Sequence, residues 1–255
     1  MSKLPLYYSR PADRSGEAER ERQKSRLAAA FRIFHDLGYG VGVAGHISVR
    51  DPIQSDCFWV NPAGQSFHNM TADDLLLVDS GGRVLAGDYA VNDAAFAIHS
   101  AIHLARPDVH AVAHAHSEYG RTWSTLGRLL DPISQDSCLF FRNHAVFEEF
   151  TGVVLEADQA KGIVVALANH QAVILKNHGL VSVGAGIDEA VWVFISLENS
   201  CKSQLLAEAS GSPSIIDDES ALLTRDQIGN SEALWHMAQP LFEQVFDRYP
   251  ELVGG

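Results

Sequence analysis

The stretch DVHAVAHAHSEYG, Asp108 to Gly120, carries three imidazoles at even spacing in an otherwise small and apolar run. Its alternation reads as a short strand, in which neighbouring side chains point to opposite faces. His114 and His116 then share one face, with Ala113 and Ala115 opposite. Two imidazoles so placed can reach one cation at the usual Zn–N distance of ~2.0–2.1 Å. A third ligand must come from elsewhere, and His178 in AVILKNHGLVSVG is the best candidate. It follows an apolar strand and precedes a glycine, which permits a sharp turn beside a site. Three histidines leave a coordination position open, the arrangement of a catalytic metal. An HxH pair also arises often by chance, so the residues alone leave a surface reading open. His110 shares the face but lies a full repeat away and reads as structural or rim.

Working outward, Pro107 closes a helix over Asn92 to Ala105 on which Phe96, His99 and His103 lie along one side. His99 and His103 are an i, i+4 pair able to chelate a metal; no supporting motif surrounds them, so packing or a hydrogen-bonding role is expected. From about Glu17 the pattern is helical, with Leu27, Phe31, Phe34 and Leu37 on one face and Gly38 as its stop. The glycines of GYGVGVAGHISVRDP mark a loop that lets backbone approach a ligand or another chain. HISVR and CFWV read as strands, VNPAGQSF as a loop, and DLLLVDSGGRVLAG as a hairpin. Residues 119–130 read as helix, and GVVLE and AVILKN as strands flanking the helix ADQAKGIVVALAN. A long helix runs from Gly186 to about Ala209, GSPSIIDDES reads as a linker, and residues 224–248 as a last amphipathic helix. Helices and short strands are mixed throughout, which predicts one α/β domain with a C-terminal helical extension.

Composition narrows the function. The 255 residues are 46% hydrophobic and 20% charged, ordinary for a globular protein with a sizeable core. A net charge of −13, from 32 acidic and 19 basic residues, argues against a nucleic-acid partner, which calls for a basic face. Cys57, Cys138 and Cys201 are far apart with no CxxC pair, which fits free thiols in a reducing compartment. No apolar run approaches membrane-spanning length, and the N-terminal residues show no signal-peptide core. The expectation is a cytoplasmic protein with no membrane partner.

At this point the chain resembles the class II aldolase/adducin family. The resemblance rests on GHISVRDP, VNPAG, IHSAIHLARPDVHAVAHAH, AVILKNHG and EAVWVFISLENSCKSQLLAEA, in order, from about Leu27 to Ala209. It implies a three-layer αβα domain around a mainly antiparallel sheet, assembled as a homotetramer with active sites between subunits. It also implies a divalent metal held by His114, His116 and His178, with zinc first and manganese or iron as alternatives. The expected division is an N-terminal arm (1–16), the family domain (17–210), and a linker with C-terminal helix (211–255) packed on the domain or a neighbour.

The departures matter as much. Sugar-phosphate aldolases of the family carry SSE, whose glutamate is the acid/base; that position falls on Ala95, in VNDAAFAIH, with Asp93 nearby on another part of the helix start. Their phosphate loop, typically SGN, reads AGH here, with His46 in place of asparagine. The resemblance therefore points to a branch of decarboxylases or non-haem iron oxygenases, and the complete histidine set argues against a purely structural, adducin-like module. The expected chemistry is a metal-dependent lyase, of decarboxylase or aldolase type, on a small non-phosphorylated hydroxy-carboxylate or aromatic acid. His46, Gln135 and Asp136 are candidate catalytic residues; Gly45, Asn61, Gly64 and Phe140 are candidate substrate contacts. Arg121 is expected in a surface ion pair, which is worth ~0–1 kcal/mol.

Overall fold

The computed structural model describes residues 7–11, 16–150, 152–154 and 157–252. Eight strands form one sheet in the order β4-β3-β2-β1-β5-β8-β7-β6. They are β1 (Gly45–Arg50), β2 (Phe58–Val60), β3 (Leu76–Val78), β4 (Val84–Ala86), β5 (Ala111–Ala115), β6 (His144–Phe147), β7 (Ala172–Leu175) and β8 (Gly179–Gly184). Every neighbouring pair is antiparallel except β6 and β7. The helices are α1 (Glu17–Asp36), α2 (Asp93–Ala105), α3 (Glu118–Ser124), α4 (Ala157–Leu167), α5 (Ile187–Ser210), α6 (Asp218–Ile228) and α7 (Ser231–Arg248).

The helices cover both faces, giving the three-layer αβα arrangement. Alternation along β5 shows why: Ala111, Ala113 and Ala115 face a core with Phe31 and Phe34 of α1 and Phe194 of α5, while Val112 joins Ile98, Ile102 and Ile163 on the α2–α4 side. The alanines keep the first face flat enough for α5 to lie close. α1 is tied to the β1–β2 hairpin through Asp51, buried at the end of β1, which accepts from Arg20 Nε (2.7 Å), Trp59 Nε1 (2.7 Å) and the Gln54 amide (2.7 Å). Burial alone would raise the Asp51 carboxyl, but these hydrogen bonds hold it below its ordinary value.

Several local expectations are corrected. The strand read at GVVLE is absent from Gly152–Val154, and its last two residues lie outside the described ones. The strand instead is β6, over HAVF, which pairs parallel with β7 because α4 supplies the crossover between them. β8 is a further strand beyond those expected, because glycines at both ends mask the alternation of GLVSVG. α3 stops at Ser124, six residues before its expected end, and Gly127 adopts φ 59° just beyond. The last helix is two. α6 begins inside the presumed linker, where Asp217 caps it by accepting from the Ser220 amide, and Asn230 caps α7 by accepting from that of Ala233. α7 then contributes Leu234, Phe242 and Val245 to the core shared by α1 and α5. Of the expected N-terminal arm, residues 1–6 and 12–15 lie outside the described ones; Arg10 hydrogen-bonds the Ser231 carbonyl at 2.9 Å.

Candidate metal centre and its pocket

β5, β8 and the β7–β8 turn bring His114, His116 and His178 together, one ligand atom from each lying within 4.8 Å of the others. His114 and His116 come from the end of β5, two residues apart on one face, as their spacing requires. His178 is delivered by the tight turn of residues 176–178, where Asn177 adopts φ 58°, a conformation asparagine tolerates better than most residues. Gly179 then passes directly behind the pair. A Cβ there would sit 2.8 Å from the Ala115 carbonyl oxygen and 3.3 Å from His116 Cδ2. Gly179→Ala should therefore cost ~1–3 kcal/mol of stability, read by urea unfolding, through forced backbone movement; an unchanged midpoint would contradict this packing.

The donor chemistry fits a divalent ion. His114 Nδ1 lies 2.9 Å from the Leu180 carbonyl oxygen, which only accepts, so Nδ1 carries the hydrogen. Its Nε2 lone pair is thus free for the cluster, the usual orienting arrangement of a metal-binding histidine. Burial, reinforced by the neighbouring imidazoles, pushes His114 well below its ordinary value and His178 down to about 4. Burial, with Arg121 nearby, lowers His116 as well. All three are neutral imidazoles at neutral pH.

The histidines line a cavity of about 790 Å³. Its wall is mostly apolar, with Val43, Val91, Ile98, Phe150 and Val153. Arg121 stands at the mouth with no ion pair or side-chain hydrogen bond among the described residues, contrary to the expected surface pair. Its helix is held by Glu198 of α5, a buried carboxylate that accepts from Ser117 Oγ (2.5 Å) and the amides of Tyr119 (2.8 Å) and Gly120 (2.6 Å). Glu198 thus caps α3 immediately after His116, a role invisible to a motif search because the partners are nearly eighty positions apart. A second cavity, of about 740 Å³ along α2 and α4, holds none of the histidines.

The other expected residues divide. His46 lines the pocket beside His114, opposite which it sits in the β1–β5 register, with ring centroids 4.7 Å apart. Gly45 also lines it; a Cβ there would meet Phe67 Cζ at 3.0 Å and the His114 carbonyl at 3.2 Å, at φ 156°. Asn61 is buried behind the wall, its Nδ2 3.4 Å from the Gly45 carbonyl, so it supports the loop and does not line the cavity. Gly64 lies in an exposed turn at φ 84°. Gln135 and Asp136 are exposed ahead of a 3-10 turn, outside the pocket of their own chain. Phe140 is fully buried in the α1–α5 core, edge-on to His144, because the turn points it inward. Ala95 is fully buried, while Ala94 and Asp93 line the cavity, so a carboxylate does reach the rim. His110 is exposed outside the cluster.

A three-layer αβα fold with three imidazoles converging from a strand and a following hairpin defines a class II aldolase-type domain. Residues 25–205 match the model of the Class II Aldolase and Adducin N-terminal domain, and the chain belongs to that family. It is 46% identical over 231 residues to "Decarboxylase NovR" of Streptomyces niveus, covering 90% of this chain and 86% of that protein. It is 45% identical over 233 residues to a "4-hydroxy-3-prenylphenylpyruvate oxygenase/4-hydroxy-3-prenylbenzoate synthase" of Streptomyces roseochromogenus subsp. oscitans, covering 91% and 84%. Among solved structures, "L-fuculose 1-phosphate aldolase from Glaciozyma antarctica PI12" superposes with a TM-score of 0.90 at 43% identity, covering 97% of each chain. No helix among the described residues is long and apolar enough to cross a membrane.

Proposed function

We propose that the chain is a metal-dependent carbon–carbon lyase, a decarboxylase or aldolase, acting on a small non-phosphorylated hydroxy-carboxylate or aromatic acid. His114, His116 and His178 hold the divalent ion, zinc first, with manganese or iron accepted by the same neutral imidazoles. One observation carries this reading: the three imidazoles converge at the wall of a largely apolar cavity whose nearby cation, Arg121, has no ion pair or side-chain hydrogen bond among the described residues. When bound, the ion stabilises negative charge developing on the substrate. Arg121 pairs with a carboxylate through its planar fork. The apolar wall receives the ring or aliphatic body and excludes water, and His46 offers a polar contact beside the centre. The relative named a decarboxylase supports carbon dioxide as a leaving group.

A second reading, oxygenation by Fe(II), is favoured by the relative named an oxygenase. A panel of hydroxy and aromatic acids, tested with zinc-, manganese- and iron-loaded protein, separates the two. Carbon dioxide release without oxygen uptake is expected; oxygen uptake confined to the iron form would favour the second reading, and no turnover with any metal would contradict both. Arg121→Met should weaken competitive binding of benzoate ~10–100-fold, from loss of ~1.5–3 kcal/mol of charge-assisted bonding, while a neutral amide analogue is unaffected. Equal losses for both probes would remove Arg121 from carboxylate recognition. A cytoplasmic homotetramer with sites at subunit boundaries belongs to the same proposal. It would let Gln135 and Asp136, remote from their own pocket, reach a neighbour's; light scattering at the monomer mass would exclude it.

A further inference from the structure

The glycine-rich segment that precedes β1 packs on one buried ring. Phe67 opens the 3-10 turn Phe67–Asn69, which Ser66 caps by accepting from the His68 amide, and it is 3% exposed. Its ring meets Phe31 of α1, with centroids 4.7 Å apart. The same ring lies against two glycines of the segment. A Cβ at Gly40 would sit 2.5 Å from Phe67 Cδ2, and one at Gly45 would sit 3.0 Å from Phe67 Cζ. Only glycine lets backbone come this close to a ring. Between these two contacts the segment is open. A Cβ at Gly42 would meet nothing within 4 Å, and Val41 and Val43 are 78% and 59% exposed. The segment is therefore anchored at its ends and free in its middle.

Gly45 is the anchor that matters for the pocket. It is the first residue of β1 and pairs with Ala115, which lies between His114 and His116 in β5. Its carbonyl also receives Asn61 Nδ2 at 3.4 Å, from the same loop that leads to Phe67. Val43, Ala44, Gly45 and His46 all line the cavity, whereas Phe67 and Asn61 stand behind it. In a close-packed interior, a shift of the ring is passed on to the backbone it touches. The ligand histidines come from β5 and the β7–β8 turn, so they are held independently of this ring.

We infer that Phe67 is a positioning residue of the pocket: its ring, seated on Phe31, holds Gly40 and Gly45 so that residues 43–46 form one wall of the cavity. That a substrate meets this wall rests on the proposed function; the attachment of the wall to Phe67 does not.

Hydrogen exchange read by mass spectrometry on the purified full chain tests the attachment. Phe67→Leu keeps an apolar side chain and removes the ring. Exchange in a peptide spanning residues 40–47 should rise ~10-fold, while a peptide spanning 172–184 and the metal content stay as in the wild type. Phe242→Leu is the control, since Phe242 is a buried ring in the core shared by α1, α5 and α7. It should leave residues 40–47 unchanged. No rise in Phe67→Leu, or an equal rise in both variants, would overturn the inference. Should Phe67→Leu fail to fold, Gly40→Ala presses on the same ring from the other partner and should give the same local rise; wild-type exchange there would overturn it. Benzoate titration of the same samples reads the consequence for the site. Its dissociation constant should rise ~10-fold in Phe67→Leu and not in Phe242→Leu. A wild-type protein that binds no benzoate would defeat the proposed function, and the exchange data would still decide the role of Phe67.

Discussion

Lowering the pH from 7 to 5.5 should cost the metal-free protein at least about 4 kcal/mol of folding free energy, the share of three histidines outside the ligand set, with the lowered His46, His114 and His178 adding to it. His99, His103 and His144 are 0%, 5% and 5% exposed. His144 is satisfied as a neutral ring: it receives the Leu130 amide at Nε2 (2.8 Å), which leaves Nδ1–H to donate to the Phe140 carbonyl (2.6 Å). Burial brings His144 down to about 4 and His103 to about 3, and places His99 well below its ordinary value. In the unfolded chain each returns to ~6.5. Between the folded values and ~6.5 the unfolded state binds more protons, so stability falls as pH falls through that window. Each ring contributes about 1.25 kcal/mol between pH 7 and 5.5, hence the sum. Urea unfolding at the two pH values checks this; a loss under ~1 kcal/mol would mean that these rings are not held neutral.

Removing the Glu198 carboxylate should be nearly as damaging. Glu198→Ala strips three hydrogen bonds from the start of α3 and leaves the Ser117 hydroxyl and the Tyr119 and Gly120 amides without their acceptor. Buried donors stranded from a charged acceptor cost ~2–5 kcal/mol. The comparison is Glu208→Ala, which breaks a half-exposed pair with Arg128 and should cost under ~1 kcal/mol. Equal effects would show that Glu198 is not a structural cap. Because Arg121 lies in the turn that Glu198 fixes, the Glu198 variant should also weaken benzoate binding.

What was legible in the sequence follows the range of the interactions involved. The HxH pair could be placed because a strand has a period of two, and the NHG turn because asparagine and glycine advertise a tight reversal. The sheet's parallel edge was harder. His144–Phe147 is a short strand whose pairing with β7 depends on a helical crossover, while GVVLE has the stronger β-forming composition. The α6–α7 break was written in Asp217 and Asn230, two capping residues inside a stretch that looked like linker and uninterrupted helix. Within the pocket, Phe140 misled because its aromatic character suits both a ring substrate and a core, and only tertiary packing distinguishes them. Arg121 and Glu198 carried no local signal, and the Ser48–His99–His103 chain joins a strand to a helix some fifty positions away.

The central claim is that His114, His116 and His178 hold one divalent ion. Elemental analysis of the purified native protein beside a His114→Ala/His116→Ala variant tests it most directly. The account predicts about one equivalent of metal per chain in the native protein and almost none in the variant, since one remaining imidazole cannot retain the ion. Equal metal content in the two would contradict it.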